Sequence, residues 1–197
     1  MRRANFRLGR GLLLSLTLGL HLASSGCARV STPESACEAF LGALSEGDAG
    51  AAFDNLIQST QWAFATVHKN QRRMRELIES SYPPGEQAAA LARLYGADAD
   101  SPRDLWGRVY NERYVKTLVE YLGEGAIKVT ANLDRPAERL CQREGKKAFR
   151  LARAASGRWG IADFDAEWEQ AQLRAVHDLD TIQKNADLYK RVSAPQK

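Results

Sequence analysis

Cysteine and histidine are scarce in this chain, with three of each among 197 residues. A zinc site gathers three or four His, Cys or carboxylate ligands at short, characteristic spacing. His68 sits beside Lys69, His177 beside Asp178, and neither has a Cys or His partner nearby in sequence, so the pattern predicts no metal site. Cys37 lies on an apolar helical stripe, where a thiol is not activated as a nucleophile, so no Cys-His pair is expected. A glycine-rich phosphate loop is also missing: "GEGA" (123–126) precedes a strand pattern rather than a helix. Nothing in the sequence calls for a cofactor.

A surplus of positive charge is missing too, although the pI near 9.0 suggests one. Arg2, Arg3, Arg7 and Arg10 fall in the first ten residues, and the first 26 contain no acid. Taking those four from 28 basic residues leaves 24, matched by 24 acidic ones. Phosphate-backbone binding needs a basic excess or a clustered basic face, so no nucleic-acid partner is expected. "QRRMR" (71–75) and "REGKKAFR" (143–150) read as solvated surface.

What is present first is an address. "MRRANFRLGR" is basic, "GLLLSLTLGLHLA" is apolar, and "SSG" then precedes Cys27. Basic, apolar and small residues in that order form a secretory signal. The apolar run falls short of the roughly 20 residues of a membrane span, which weighs against a transmembrane anchor. The segment resembles a bacterial lipoprotein signal, with Ser25 and Gly26 just before the cysteine, although Ser24 stands where that family usually has Leu. The resemblance implies residues 1–26 as signal, lipid attachment at Cys27, and a tether over 27–32. It implies a membrane partner through the lipid and a place in the bacterial cell envelope. Ala28 after the cysteine implies the outer membrane, facing the periplasm. Ordinary cleavage at Ala23-x-Ser25 competes and would leave three cysteines, one unpaired. Acylation of Cys27 leaves Cys37 and Cys141, which either pair in an oxidising compartment or stay as two buried free thiols. Cys141 alternates with Arg139 and Arg143, a register that would turn it away from a core.

The rest predicts an α+β fold, with N-terminal helices, then an antiparallel sheet, then a final C-terminal helix. Thr32-Pro33 opens a helix, with Cys37, Phe40, Leu41 and Leu44 on one stripe and Gly47 ending it. Asp48 caps a second helix. A third starts at Ser59 or Thr60, carries Phe64, Val67, Met74 and Ile78, and stops at "YPPG" (82–85). "EQAAALARLYG" is a fourth, closed by Gly96. "SPRD" (101–104) reads as a capping box, followed by Leu105, Trp106, Val109 and Tyr110 on one face and Val115, Leu118, Val119 and Leu122 on another. From "AIKVTANLD" (126–134) the period changes to two, the mark of half-buried strands. Strands follow at "AERLCQR", "KAFRLARA" and "RWGIADF". A helix over about 166–191 presents Leu173, Val176, Leu179 and Ile182 as its apolar side. Trp62, Trp106, Trp159 and Trp168 read as packing residues.

"PESACEAFLGALSEGDAGAAF", "AIKVTANL" and "AFRLARAASGRWGIADF" together resemble the nuclear transport factor 2-like superfamily, which includes SnoaL-like and ketosteroid-isomerase-like proteins. The resemblance covers residues 33–165 and leaves 166–197 as a C-terminal helix and tail. It implies a cone whose open end can hold an apolar ligand. Such folds host isomerases, dehydratases and non-catalytic members, so fold does not select an activity. Isomerase chemistry needs a carboxylate and an acidic donor in an apolar cavity. Asp163, Asp165, Tyr110 and Tyr114 are residues of those types, but no local motif joins them, and no catalytic residue is assigned. The expectation is an anchored binding or assembly protein, with a protein partner or second copy meeting the C-terminal helix. The alternatives are a small-molecule isomerase or dehydratase, and a carrier of a lipid or other apolar ligand.

Overall fold

Thr32 starts the fold. Its hydroxyl accepts from the Ser35 amide at 3.1 Å, and the Ser35 hydroxyl accepts in turn from the Thr32 amide at 3.1 Å. This reciprocal cap opens α1 (Pro33–Glu46), with Pro33 in the first turn, where no intrahelical N–H is needed. Gly47 ends α1 in the left-handed region at φ 70°, which a side chain would disfavour. Asp48 then caps α2 (Ala49–Asp54) through the Ala51 amide.

A computed structural model describes residues 32–193. Residues 1–31, which include the expected signal segment and Cys27, and residues 194–197 lie outside the described residues. The architecture is α+β, as expected. After α2 come α3 (Gln58–Ser81), α4 (Pro84–Leu91), α5 (Pro102–Val109), a π-helical turn (Tyr110–Tyr114) and α6 (Val115–Leu118). An antiparallel meander follows: β1 (Ile127–Ala131), β2 (Arg139–Arg143), β3 (Phe149–Arg153) and β4 (Trp159–Ile161), in that spatial order. The long helix α7 (Asp165–Ser193) closes the described chain. No helix among the described residues is long and apolar enough to cross a membrane.

One face of the sheet packs on α1. Cys141, at the centre of β2, lies opposite Val129 on one side and Phe149 on the other, and is fully buried. The outward turn suggested by the flanking arginines is therefore wrong. Arg139 and Arg143 share its face but lie at the strand ends, half-buried. Arg139 sets its guanidinium 5.8 Å from the Trp159 ring centroid, and Arg143 donates to the Gly125 carbonyl at 3.2 Å. Long side chains lay their apolar stems on the core and keep their charge at its rim. Cys37 on α1 reaches Cys141, and the two form a disulfide. Phe40 meets Phe149 edge to face, with centroids 5.1 Å apart.

β4 is held from its other side. Leu56 bridges Ile161 in parallel, and the Ile57 amide donates to the Ile161 carbonyl at 2.9 Å. Gly160 makes this crossing feasible, because a Cβ there would stand 2.7 Å from the Ile57 backbone.

The long helices α3 and α7 run parallel. Thr60 bonds Asp165, Phe64 stacks on Trp168, and Tyr82 meets Tyr189, so contacts advance together along both chains. The seam on α7 is built from Trp168, Ala175 and Ala186. Leu173 and Val176, expected on the packed side, face solvent at 60% and 52% exposure, while Leu179 and Ile182 are half-buried at the seam. Small residues allow the axes to approach, and the larger aliphatics point outward.

Other expectations change at element ends. α3 begins at Gln58 without a side-chain cap, and α4 ends at Leu91, short of Gly96. Ser101 caps α5 through the Asp104 amide, but the Asp104 carboxylate accepts from the Asp100 amide instead of closing the box on Ser101. Of the stripe after the π-helical turn, Leu118 is buried while Val115 and Val119 are exposed. Trp62 does not pack: it is 64% exposed. Leu133 falls beyond the end of β1, in the loop that follows.

Candidate binding groove

Pro83 and Pro84 set the site. Tyr82 takes extended backbone ahead of them and ends α3, and Pro84 occupies the first turn of α4. Gln87 locks the corner by donating to the Tyr82 carbonyl at 2.9 Å. The chain thus doubles back, and α4 lies beside the distal ends of α3 and α7. Leu77, Ile78, Tyr82 and Ala186 form a second small core there, separate from the one between α1 and the sheet.

An open groove of about 440 Å³ runs between α3, α4 and α7. Its floor is apolar, from Met74, Tyr82, Ala90, Leu94 and Ile182, and its rim carries Glu86, Arg93, Asp178 and Asn185. The Tyr189 hydroxyl donates to the Glu86 carboxylate, linking α7 to α4. That bond raises the Tyr189 pKa above its ordinary value, with burial adding to it. The tyrosine is therefore a neutral donor near neutral pH. The groove offers apolar contact, a few polar anchors and no nucleophile-base pair, an arrangement suited to holding a ligand.

A second hollow, of about 410 Å³, is polar and lies where the 97–100 loop meets α3. Some of its charges are paired with near neighbours: Arg75 with Glu79 at 2.8 Å, and Asp98 with Arg108 at 2.8 Å. Arg108 holds the Asp98 carboxyl below the usual range. His68 on α3 is buried, with Nε2 2.8 Å from the Ala99 carbonyl. It fastens the loop. Among the described residues no three His, Cys, Asp or Glu side chains gather as a metal site requires.

The acids and phenols singled out in the sequence are each engaged elsewhere. Asp163 accepts from the Arg150 amide and lies 3.7 Å from its Nε. Burial raises the Asp163 pKa, and Arg150 opposes that rise. Asp165 accepts from Thr60 at 3.3 Å. Tyr110 is buried beside Trp106, with ring centroids 6.0 Å apart. Tyr114 donates to Glu167 at 2.6 Å and accepts from Trp168 Nε1 at 3.3 Å. Burial, and then the bond to Glu167, drive its pKa well up. Phe40, Phe64, Trp106 and Phe149, all fully buried, occupy the interior.

Glu86 and Tyr189 were not visible as site residues in the sequence. They lie 103 positions apart and meet only because α3 and α7 run parallel. No family model, characterised protein or solved structure matches this chain. The geometry itself defines the class: a disulfide-stapled α+β body bearing a helical groove.

Proposed function

We propose that this is a lipid-anchored protein of a bacterial cell envelope that acts by binding, through a nuclear transport factor 2-like domain. The Cys37–Cys141 disulfide carries the reading. Such bonds form and persist in oxidising compartments, which agrees with an exported chain. The pairing also leaves Cys27 as the odd cysteine, next to the small residues a lipoprotein peptidase requires. One acyl chain gives marginal membrane binding and several give stable anchoring. Ala28 favours the outer membrane, facing the periplasm.

The groove between α3, α4 and α7 is the binding element in this reading, and it brings the C-terminal helix into contact with a protein partner. A carrier role is the second reading, favoured by the groove volume of about 440 Å³, within the range of small-ligand pockets. Native mass spectrometry of protein extracted from its own membranes tests it: a retained apolar ligand supports a carrier, and bare protein supports a partner. The isomerase or dehydratase alternative has less support, since Asp163 and Tyr114 are held by Arg150 and Glu167.

Membrane fractionation of the wild type and Cys27→Ala tests the anchor. The expected result is wild type in the membrane pellet and the variant released. A variant as membrane-bound as the wild type would sink the lipid anchor.

A further inference from the structure

The sheet has two unlike ends. One holds the β1–β2 loop, residues 132–138, and the β3–β4 turn, residues 154–158. The other holds the β2–β3 turn, residues 144–148. The direction of α1 shows which end leads to Cys27. Cys37 is bonded to Cys141, and the Ser45 hydroxyl lies 3.5 Å from Arg143. α1 therefore runs along β2 in the same sense, with its start towards Arg139. Thr32 emerges at the first end, and the five residue steps back to Cys27 span at most about 17 Å.

That end is shaped to meet a surface. Leu133 is 91% exposed, more than any other large apolar residue among the described ones. Its loop is not slack: the Asn132 side chain accepts from the Asp134 amide at 3.2 Å and donates to Glu138 at 3.3 Å, and the Glu138 amide donates to the Arg135 carbonyl at 2.8 Å. The loop presents Leu133 outward in a fixed position. Arg153 and Arg158, flanking the neighbouring turn, are exposed and bond backbone carbonyls of Gly157 and Leu56. Neither is ion-paired among the described residues. The acids at this end are Glu138, which is engaged by Arg135 and Arg150, together with Asp134 and Glu34. At the opposite end Lys128 and Lys147 are neutralised by Glu144 and Glu120, which leaves Lys146 as the exposed basic residue of that turn with no ion pair among the described residues.

We propose that the 132–138 and 154–158 end of the sheet seats on an anionic phospholipid surface, with Leu133 entering the acyl boundary and Arg153 and Arg158 meeting lipid phosphates. A guanidinium matches phosphate geometry through paired donors, and an apolar tip gains by leaving water. A short tether holds this end at the bilayer. The inference rests on the lipid-anchor reading.

The test uses full protein extracted from its membranes and reconstituted in vesicles of phosphatidylethanolamine and phosphatidylglycerol, about three to one. Hydrogen exchange is compared with the same protein in detergent. Amides of 132–138 and 154–158 should exchange several-fold more slowly on the vesicles, and Leu133→Ser with Arg153→Ala and Arg158→Ala should remove the slowing. Slowing at 144–148 instead, none at either end, persistence in the triple variant, or equal slowing on pure phosphatidylcholine would each overturn the proposal. Mass spectrometry of the same sample reports the Cys27 adduct. An unmodified Cys27 refutes the anchor alone; coupling that thiol to a maleimide lipid in the same vesicles then tests the seating by itself, with the same outcomes.

Discussion

Cys37 in α1 and Cys141 in β2 are joined across 104 residues, with their α-carbons 5.6 Å apart. The loop they close contains every element from α2 to β1. Closing a loop of that size removes much of the freedom of the unfolded chain, worth about 4–5 kcal/mol in the chain-entropy account. Cys37→Ala with Cys141→Ala should therefore lower stability by roughly 3–5 kcal/mol, read as a fall in the urea midpoint. Alkylation of the native protein without reductant should label neither thiol, and quantitative labelling of both would contradict the bridge.

Tyr114 links the π-helical turn to α7. Tyr114→Phe leaves Trp168 Nε1 and Glu167 without this partner, at a cost of about 1–3 kcal/mol near neutral pH. Its pKa is raised in the folded state, so its stabilising share is complete below the ordinary tyrosine value of 10.0 and is lost as pH rises through the folded value. Urea melts at pH 7, 10 and 11 should show the wild type losing stability at the alkaline end and the variant losing less. Parallel curves for the two proteins would rule out the titration.

The α3–α7 seam depends on small residues. Ala186 is fully buried, and Ala186→Leu should cost about 1–3 kcal/mol by overpacking. Leu173→Ala, on the exposed side, should change stability by less than about 0.5 kcal/mol. Thermal melts of the two variants separate the faces, and a larger loss at Leu173 would mean that the seam is wrongly placed.

Gly160→Ala puts a methyl against the Ile57 backbone, which cannot rotate away. A loss of about 1–3 kcal/mol is expected. Gly42→Ala meets nothing within 4 Å on α1 and should be neutral or stabilising by about 0.5–1 kcal/mol. Measuring both by chemical denaturation distinguishes close approach from glycine content.

Local chemistry was readable in the sequence. The Thr32 cap, the Gly47 stop and the Asp48 cap depend on neighbours three or four positions away, and the structure places them where the pattern did. The change of period at 126 marked the start of the sheet for the same reason. Faces decided by distant partners were less legible. The apolar side of α7 looked like Leu173 and Val176, because hydrophobicity counts large residues and a close seam selects small ones. Cys141 looked outward because its strand neighbours are arginines, although only the middle of β2 is covered. Glu86 and Tyr189 had no local signal, since their meeting depends on the parallel course of two helices far apart in sequence.

The staple also sets a route for force. If Cys27 is held by lipid, any pull along the tether enters at Thr32 and travels through the first turn of α1. It reaches a covalent bond at Cys37 before it can act on the packing beyond. The pull then passes directly to β2, in the middle of the sheet. Peeling α1 from the sheet, starting at Thr32, is blocked after five residues.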